Sequence, residues 1–501
     1  MATYSVIILT DSLEQASALR TMKLDLHERA ARRRSDSGDY AVPAILTDDQ
    51  IEQLRADGYR VVIHEDAEQL AVERSAEVVP EVNRFAPGLP ARDREAGLRT
   101  APSEQERTAG GALERLMDLS DPDATSRPGE PGDRNARGER EGPGDRSALG
   151  GYLTAAEVES ALQTLAATYP EAAAVSPLPE QTWGGLTSHV LQLRAGQKQS
   201  RTGVLVTGGV HAREWGGSDI CVAFATNLLR SYRAGRQLRY GNKTFAVADV
   251  RAILEHLDVF VFADVNPDGK AYSQSVDSGQ PQNFWWRKNR RLAGMPGGAE
   301  GVDLNRNFDF LWSSGIGTAT DATQFIYKGP TAFSEPEARN MRWLLDVHDQ
   351  IGYFVDVHSF GELILYSWGD DENQDDTPTQ NFLNAAFDGV RGAVGDSAYR
   401  EFMASADQAA LVELAHGMNA ALSEVRGTRY TVEQAMGLYP TSATSDDYSF
   451  SRHLMDAARR KVYGFTVEFG QQFVPPYTEM RRIMADVAAG LTELCRRAAV
   501  A

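Results

Sequence analysis

Three regimes of hydrophobic spacing divide the 501-residue chain. Near the start, "TYSVII" at residues 3–8 reads as a strand. The apolar positions of "SLEQASALRTMKLDLHERAARRR" then recur every three to four residues and predict a helix, and "VPAIL" predicts extended chain. "TDDQIEQLRADG" carries its own helix signals, with Thr47 or Asp48 as N-cap and Gly58 as stop, and "YRVVIHED" predicts the strand after it. Residues 1–85 are therefore expected to form a small α+β unit, near the lower size limit for independent folding.

Over residues 86–150 the periodicity vanishes. "ARDREAGLRTAPSEQERTAGG" and "SRPGEPGDRNARGEREGPGDRSALGG" hold Gly, Pro, Arg, Asp and Glu with almost nothing apolar. Ordering such chain costs roughly 1–2 kcal/mol per residue, with little burial to offset it. The expectation is a flexible, protease-accessible linker, interrupted at most by a short helix at "ALERLMDLS".

Residues 151–501 alternate helical patterns such as "TAAEVESALQTLAATYP" with short apolar runs: "GVLVTGG", "DVFVFADV", "GYFVDVHS" and "VYGFTVEFG". This is the signature of an α/β fold, a large mixed, mostly parallel twisted sheet with helices on both faces. In such sheets ligands sit beyond the carboxyl ends of strands. The candidate chemistry falls at those ends or just past them.

Composition narrows the partners. Hydrophobic residues make up 42% and charged residues 24%, ordinary globular usage. The 51 Lys+Arg against 70 Asp+Glu give a net charge of −19, which disfavours nucleic acid and acidic membrane surfaces and favours cationic substrates. No run reaches the ~18 apolar residues of a membrane span, and the N-terminus lacks the basic and apolar regions of a secretion signal. The default compartment is cytoplasmic, with export by another route as the alternative. Cys221 and Cys495 are too few for a disulfide framework, and buried thiols are expected.

In "TGGVHAREWGGSDI", His211 and Glu214 stand three apart after an apolar strand; on a helical turn both would face one cation. His358, at the end of "GYFVDVHS", supplies a third ligand, and a site with three protein ligands keeps an open, catalytic position. Arg287 in "FWWRKNRR" and the Asn305–Arg306 pair in "GVDLNRNF" lie after strands, and an amide beside a guanidinium can grip a carboxylate. Glu468 ends the apolar run "GFTVEFG", where an unpaired carboxylate costs several kcal/mol; beside a metal it would take a proton from water.

Together the blocks "GGVHAREW", "NPDG", "FWWRKNRR", "GVDLNRNF", "VHSFGELILY", "LYPTSATSDDYSF" and "FTVEFG" resemble the catalytic domain of zinc metallocarboxypeptidases of the pancreatic A/B type, over about residues 152–496. The resemblance implies one Zn²⁺ held by His211, Glu214 and His358, with Asp303 orienting a ligating imidazole. It implies Glu468 as general base and Arg287 as the group that stabilises the oxyanion. Asn305, Arg306 and Tyr439 would bind the free C-terminal carboxylate of a peptide or protein, and Arg213 would be a further substrate contact. Asp446, seven residues after Tyr439, falls at the specificity position and implies a preference for C-terminal Lys or Arg. Residues 1–85 occupy the place of an inhibitory pro-domain able to contact the active site. Residues 370–402 are longer than the family pattern.

Two other readings use the same residues. One is a zinc amidohydrolase acting on amino-acid conjugates or cell-wall peptides. The other is a peptide-end binding protein without catalysis, against which stand Glu468 and the complete ligand set.

Overall fold

The computed structural model describes residues 2–27, 30–34, 38–78, 83–85, 109–123, 151–275, 281–395, 398–437 and 439–500. The N-terminal sheet joins β1 (Thr3–Thr10), β2 (Asp25–Leu26), β3 (Arg32–Arg33), β4 (Tyr40–Thr47) and β5 (Arg60–Asp66) in the order β2-β4-β1-β5, with β3 also on β4. The helix Asp48–Ala56 takes Thr47, one of the two expected N-caps, and adds a capping box with Gln50. The long helix expected from residue 12 stops at Leu19, and after one 3₁₀ turn Lys23 takes the left-handed region at φ 54°. The residues that follow form β2 instead, because Asp25 and Leu26 pair with Ile45 and Ala44 of β4. Tertiary pairing has overridden the helical spacing there.

Beyond Gly151 come β6 (Ala173–Gln181), β7 (Thr187–Leu193) and β8 (Thr202–Gly208), the hairpin strands β9 (Leu238–Tyr240) and β10 (Lys243–Phe245), and then β11 (Leu257–Phe262). They are followed by β12 (Ile351–His358), β13 (Leu363–Tyr366), the paired β14 (Gln374–Asp375) and β15 (Glu401–Phe402), β16 (Thr431–Gln434) and β17 (Tyr463–Glu468). Eight of these make one mixed sheet in the order β16-β13-β17-β12-β8-β11-β7-β6. Its centre, β17-β12-β8-β11, is parallel, and antiparallel pairs flank it. Strands β8, β11, β12 and β17 are buried along almost their whole length, so both faces are covered, as parallel strands require.

Within residues 109–123 the short helix expected at "ALERLMDLS" is present, a little earlier, but the segment packs into the core rather than forming linker. The helix spans Ala109–Leu116, and Leu113, Met117 and Leu119 are fully buried in the main core. Each such side chain contributes roughly 1.5–3 kcal/mol. The Asn227 amide donates to Met117 O (2.6 Å), and Arg481 donates to Leu116 O and Asp118 O (2.7 and 2.9 Å). The remaining expected linker, 86–108 and 124–150, lies outside the described residues. Residues 370–395 and 398–402 form the short β14–β15 pair and turns; there Phe382 meets Phe310 edge-on at 5.1 Å and lies tilted against Trp368 at 5.7 Å. Both cysteines are free and buried, and among the described residues no helix is long and apolar enough to cross a membrane.

Candidate active site and metal centre

Three neighbouring parallel strands end together. In register, His358 at the end of β12 lies beside Glu468 at the end of β17, and Val357 lies beside Gly208, the last residue of β8. The chain leaves β8 through Gly209, whose φ of 70° suits glycine, and delivers His211 three residues beyond the strand. Close approach also demands Gly217: a Cβ there would sit 2.9 Å from Val357 O and 3.0 Å from Gly209 N. The helix Gly216–Ala234 can therefore start directly against the strand ends.

His211 and Glu214 do not lie on a helix, as the spacing suggested. They close one turn ahead of it, with Glu214 N donating to His211 O at 3.1 Å. The turn serves the same end. Nδ1 of His211 lies 2.7 Å from Glu214 Oε1, Nδ1 of His358 lies 3.0 Å from Glu214 Oε2, and the two Nδ1 atoms are 3.1 Å apart. All three residues are buried, and among the described residues they are the one His/Cys/Asp/Glu group spaced to hold a metal.

The donor chemistry fits zinc. Each imidazole turns its Nε2 to a carboxylate: His211 to Asp303 (3.2 Å) and His358 to Asp356 (3.0 Å). With the protons on Nε2, toward those carboxylates, two Nδ1 lone pairs converge on an acceptor-only carboxylate. Such convergence is repulsive unless a cation is shared. Around tetrahedral zinc, bonds of about 2.0–2.2 Å set ligand atoms about 3.3–3.6 Å apart, a little beyond the 2.7–3.1 Å observed.

Charges around the ligands are paired. Burial works against the ionised forms of Glu214 and Asp303, but the imidazoles for Glu214, and Arg287 with His211 for Asp303, hold both below the usual carboxylate range. Burial and then Arg287 push His211 down. For His358 burial acts the same way, but Asp356 and Glu214 outweigh it and raise the ring. Arg287 donates from Nε to Asp303 Oδ2 at 3.0 Å, and Asp303 Oδ1 also accepts from Asn305 N at 3.0 Å.

A small cavity joins most of the expected residues: His211, Glu214, Arg287, Asn305, Arg306 and Glu468 line it, with Ile326 and with Leu26 and His27 of the N-terminal unit. It encloses about 20 Å³ of space, room for about one water. The N-terminal unit fills the rest. Asp25 takes both Nη atoms of Arg213, with Oδ1 at 3.0 Å from Nη2. The His27 ring stacks on Phe360 (4.4 Å) and meets the edge of Phe473 (5.0 Å), while its Nε2 lies 2.6 Å from Phe360 O and 3.1 Å from Phe360 N. Tyr439 donates its hydroxyl to Ala16 O (2.8 Å), and Arg20 donates to Pro440 O (3.2 Å).

Arg213 and Tyr439 thus face the N-terminal unit rather than the cavity. Asp446 lies off the cavity lining. It is fully buried, accepts from Thr466 Oγ1 at 2.8 Å, and sits one residue after Ser445, whose N–H donates to Asn305 Oδ1 (2.9 Å). Sequence reasoning passed over Asp25, His27, Asp356 and Ser445. The signals were slight: a carboxylate two residues before His358 inside an apolar strand, and alternation in "LDLH".

Sheet and site define a metal-dependent hydrolase of α/β architecture. Residues 158–490 match peptidase family M14, the zinc carboxypeptidases, so the chain belongs to that family and is a metallocarboxypeptidase. Among relatives, carboxypeptidase B of Astacus astacus is 31% identical over 250 residues, 48% of this chain and 75% of that one. Zinc carboxypeptidase A 1 of Anopheles gambiae is 28% identical over 305 residues, 60% of this chain and 57% of that one, so the match spans little more than half of the mosquito enzyme. Two solved structures share the fold: thrombin activatable fibrinolysis inhibitor (TM-score 0.65, 16% identity, all of both chains) and carboxypeptidase A from Helicoverpa armigera (TM-score 0.65, 19% identity, 99% and 98% of the chains).

Proposed function

We propose that the chain is a latent carboxypeptidase of the A/B type that removes C-terminal Lys or Arg from peptides and proteins. The observation that carries the reading is the convergence of His211, Glu214 and His358 beside Glu468 at three adjacent strand ends. Zinc held there supplies Lewis acidity, polarising a carbonyl and making water a nucleophile near neutral pH. Glu468 takes the proton from the attacking water and passes it to the leaving amine. Arg287, fixed by Asp303, holds the negative charge that develops on the scissile carbonyl oxygen. Asn305, Arg306 and Tyr439 hold the terminal carboxylate and so restrict cleavage to the last peptide bond.

Basic specificity is supported by Asp446: its buried carboxylate, one residue after the Asn305-bound Ser445, attracts a Lys or Arg side chain and offers an apolar one nothing. Latency is supported by the N-terminal contacts, since Arg213 and Tyr439 are engaged by Asp25 and Ala16. The test is release of the terminal residue from matched blocked peptides ending in Arg, Lys, Leu or Phe, before and after limited proteolysis within 86–108 or 124–150. Arg and Lys should be released fastest, and only after cleavage. No release from any of the four would overturn the reading in favour of an amidohydrolase on another conjugate.

A further inference from the structure

Only one of the two backing carboxylates is marked by the sequence motifs: Asp303, behind His211. Behind His358 stands Asp356, its Oδ2 3.0 Å from Nε2. We propose that Asp356 is a positioning residue of the metal centre, fixing the His358 ring with Nδ1 toward Glu214 and strengthening the hold on zinc. The inference rests on the zinc reading of the site above.

Local geometry comes from the strand. Residues two apart in β12 share a face, so Asp356 and His358 meet without a detour of the backbone. Asp356 is itself held independently of the ring. Thr207 Oγ1 on β8 donates to Oδ1 at 2.9 Å, and Ser445 Oγ, first residue of the helix Ser445–Met455, donates to Oδ2 at 2.6 Å. All three side chains are fully buried. Among the described residues the ion-pair contact of Asp356 is with His358, not with Lys or Arg. A buried carboxylate is costly without a charged or strongly polar partner, and beyond the two hydroxyls the His358 ring, with Nε2 3.0 Å from Oδ2, is the ionisable group within ion-pair reach. A carboxylate behind a ligating imidazole fixes the tautomer, raises ligand basicity, and typically changes metal affinity 10–100-fold when removed.

The alternative role is purely structural: Asp356 would fasten β8, β12 and the helix Ser445–Met455 together, with no effect on the metal. The full chain carrying Asp356→Asn, and in parallel Asp356→Ser, separates the two. Zinc affinity is read by competition with a chromophoric chelator, and melting temperature is read with and without zinc. Positioning predicts 10–100-fold weaker zinc binding in at least one folded variant and a narrowed gap between the zinc-loaded and zinc-free melting temperatures. Ser445→Ala, which loosens the fastening but leaves the His358 contact, should keep zinc affinity within about threefold. Zinc affinity unchanged in both Asp356 variants, with both melting temperatures lowered together, would overturn the proposal while leaving the carboxypeptidase reading intact. A wild-type chain that binds no stoichiometric zinc would overturn both.

Discussion

Removing Asp25 should open the occluded site without proteolysis. Its carboxylate and the Arg213 guanidinium are both almost fully buried, at 4% and 1% side-chain exposure, and form a two-pronged contact. After Asp25→Ala the guanidinium keeps, among the described residues, Trp285 O at 3.3 Å and the face of Phe473 at 4.2 Å in the docked arrangement. Deleting one partner of a buried pair costs about 3–5 kcal/mol, because the other charge is stranded. Undocked, Arg213 regains water, so the cost falls on the docked state. At 1.36 kcal/mol per factor of ten, the docking equilibrium shifts by roughly two to nearly four orders of magnitude. The assay is hydrolysis of a blocked Arg-ended peptide by the uncleaved chain, divided by the rate of the same preparation after cleavage in the linker. The ratio should rise at least about 100-fold, or to unity if docking is lost altogether. Asp25→Asn, which keeps a carbonyl acceptor, should rise less. A ratio unchanged from wild type, with the cleaved variant as active as cleaved wild type, would refute the argument that this contact keeps the site shut.

Three further outcomes are expected. Glu468→Gln should lose at least about 10²-fold in kcat after activation while zinc content stays stoichiometric; full turnover in the purified variant would remove Glu468 from the base role. Burial depresses His27 from 6.5 to about 3, so it is neutral when docked and gains a proton on release below pH 6.5. Docking is therefore complete above that pH and weakens by up to about 1.4 kcal/mol per unit as pH falls from 6.5 toward 3, so uncleaved activity, corrected for the pH profile of the cleaved enzyme, should climb in mild acid. His27→Phe should flatten the climb, and an identical profile in both proteins would count against it. Asp446→Ser should lower the Arg-over-Phe ratio of kcat/KM by at least about tenfold in the activated enzyme; an unchanged ratio would place the specificity determinant elsewhere.

The metal ligands and the base were legible along the chain because His211, His358 and Glu468 each follow a short apolar run that becomes a buried strand, whereas the strands expected ahead of Arg287 and of Asn305–Arg306 are 3₁₀ turns, Pro281–Trp285 and Leu304–Arg306. His358 and Glu468 end β12 and β17 just where the hydrophobic pattern ends. The N-cap at Thr47 was equally local, resting on contacts three residues apart. Local rules failed where a partner lay far away: β2 exists because β4 pairs with it, and residues 109–123 are held against the core because Asn227 and Arg481 donate to their carbonyls. By itself the sequence determined which residues have the chemistry to hold a metal, move a proton and bind a carboxylate. Only the tertiary structure decided that β17, β12 and β8 lie side by side, that Asp356 backs His358, and that Asp25 reaches Arg213 across 188 positions. The reason is that spacing along the chain sets which face a side chain takes, whereas strand order and domain docking are settled by the burial of surfaces distant in sequence.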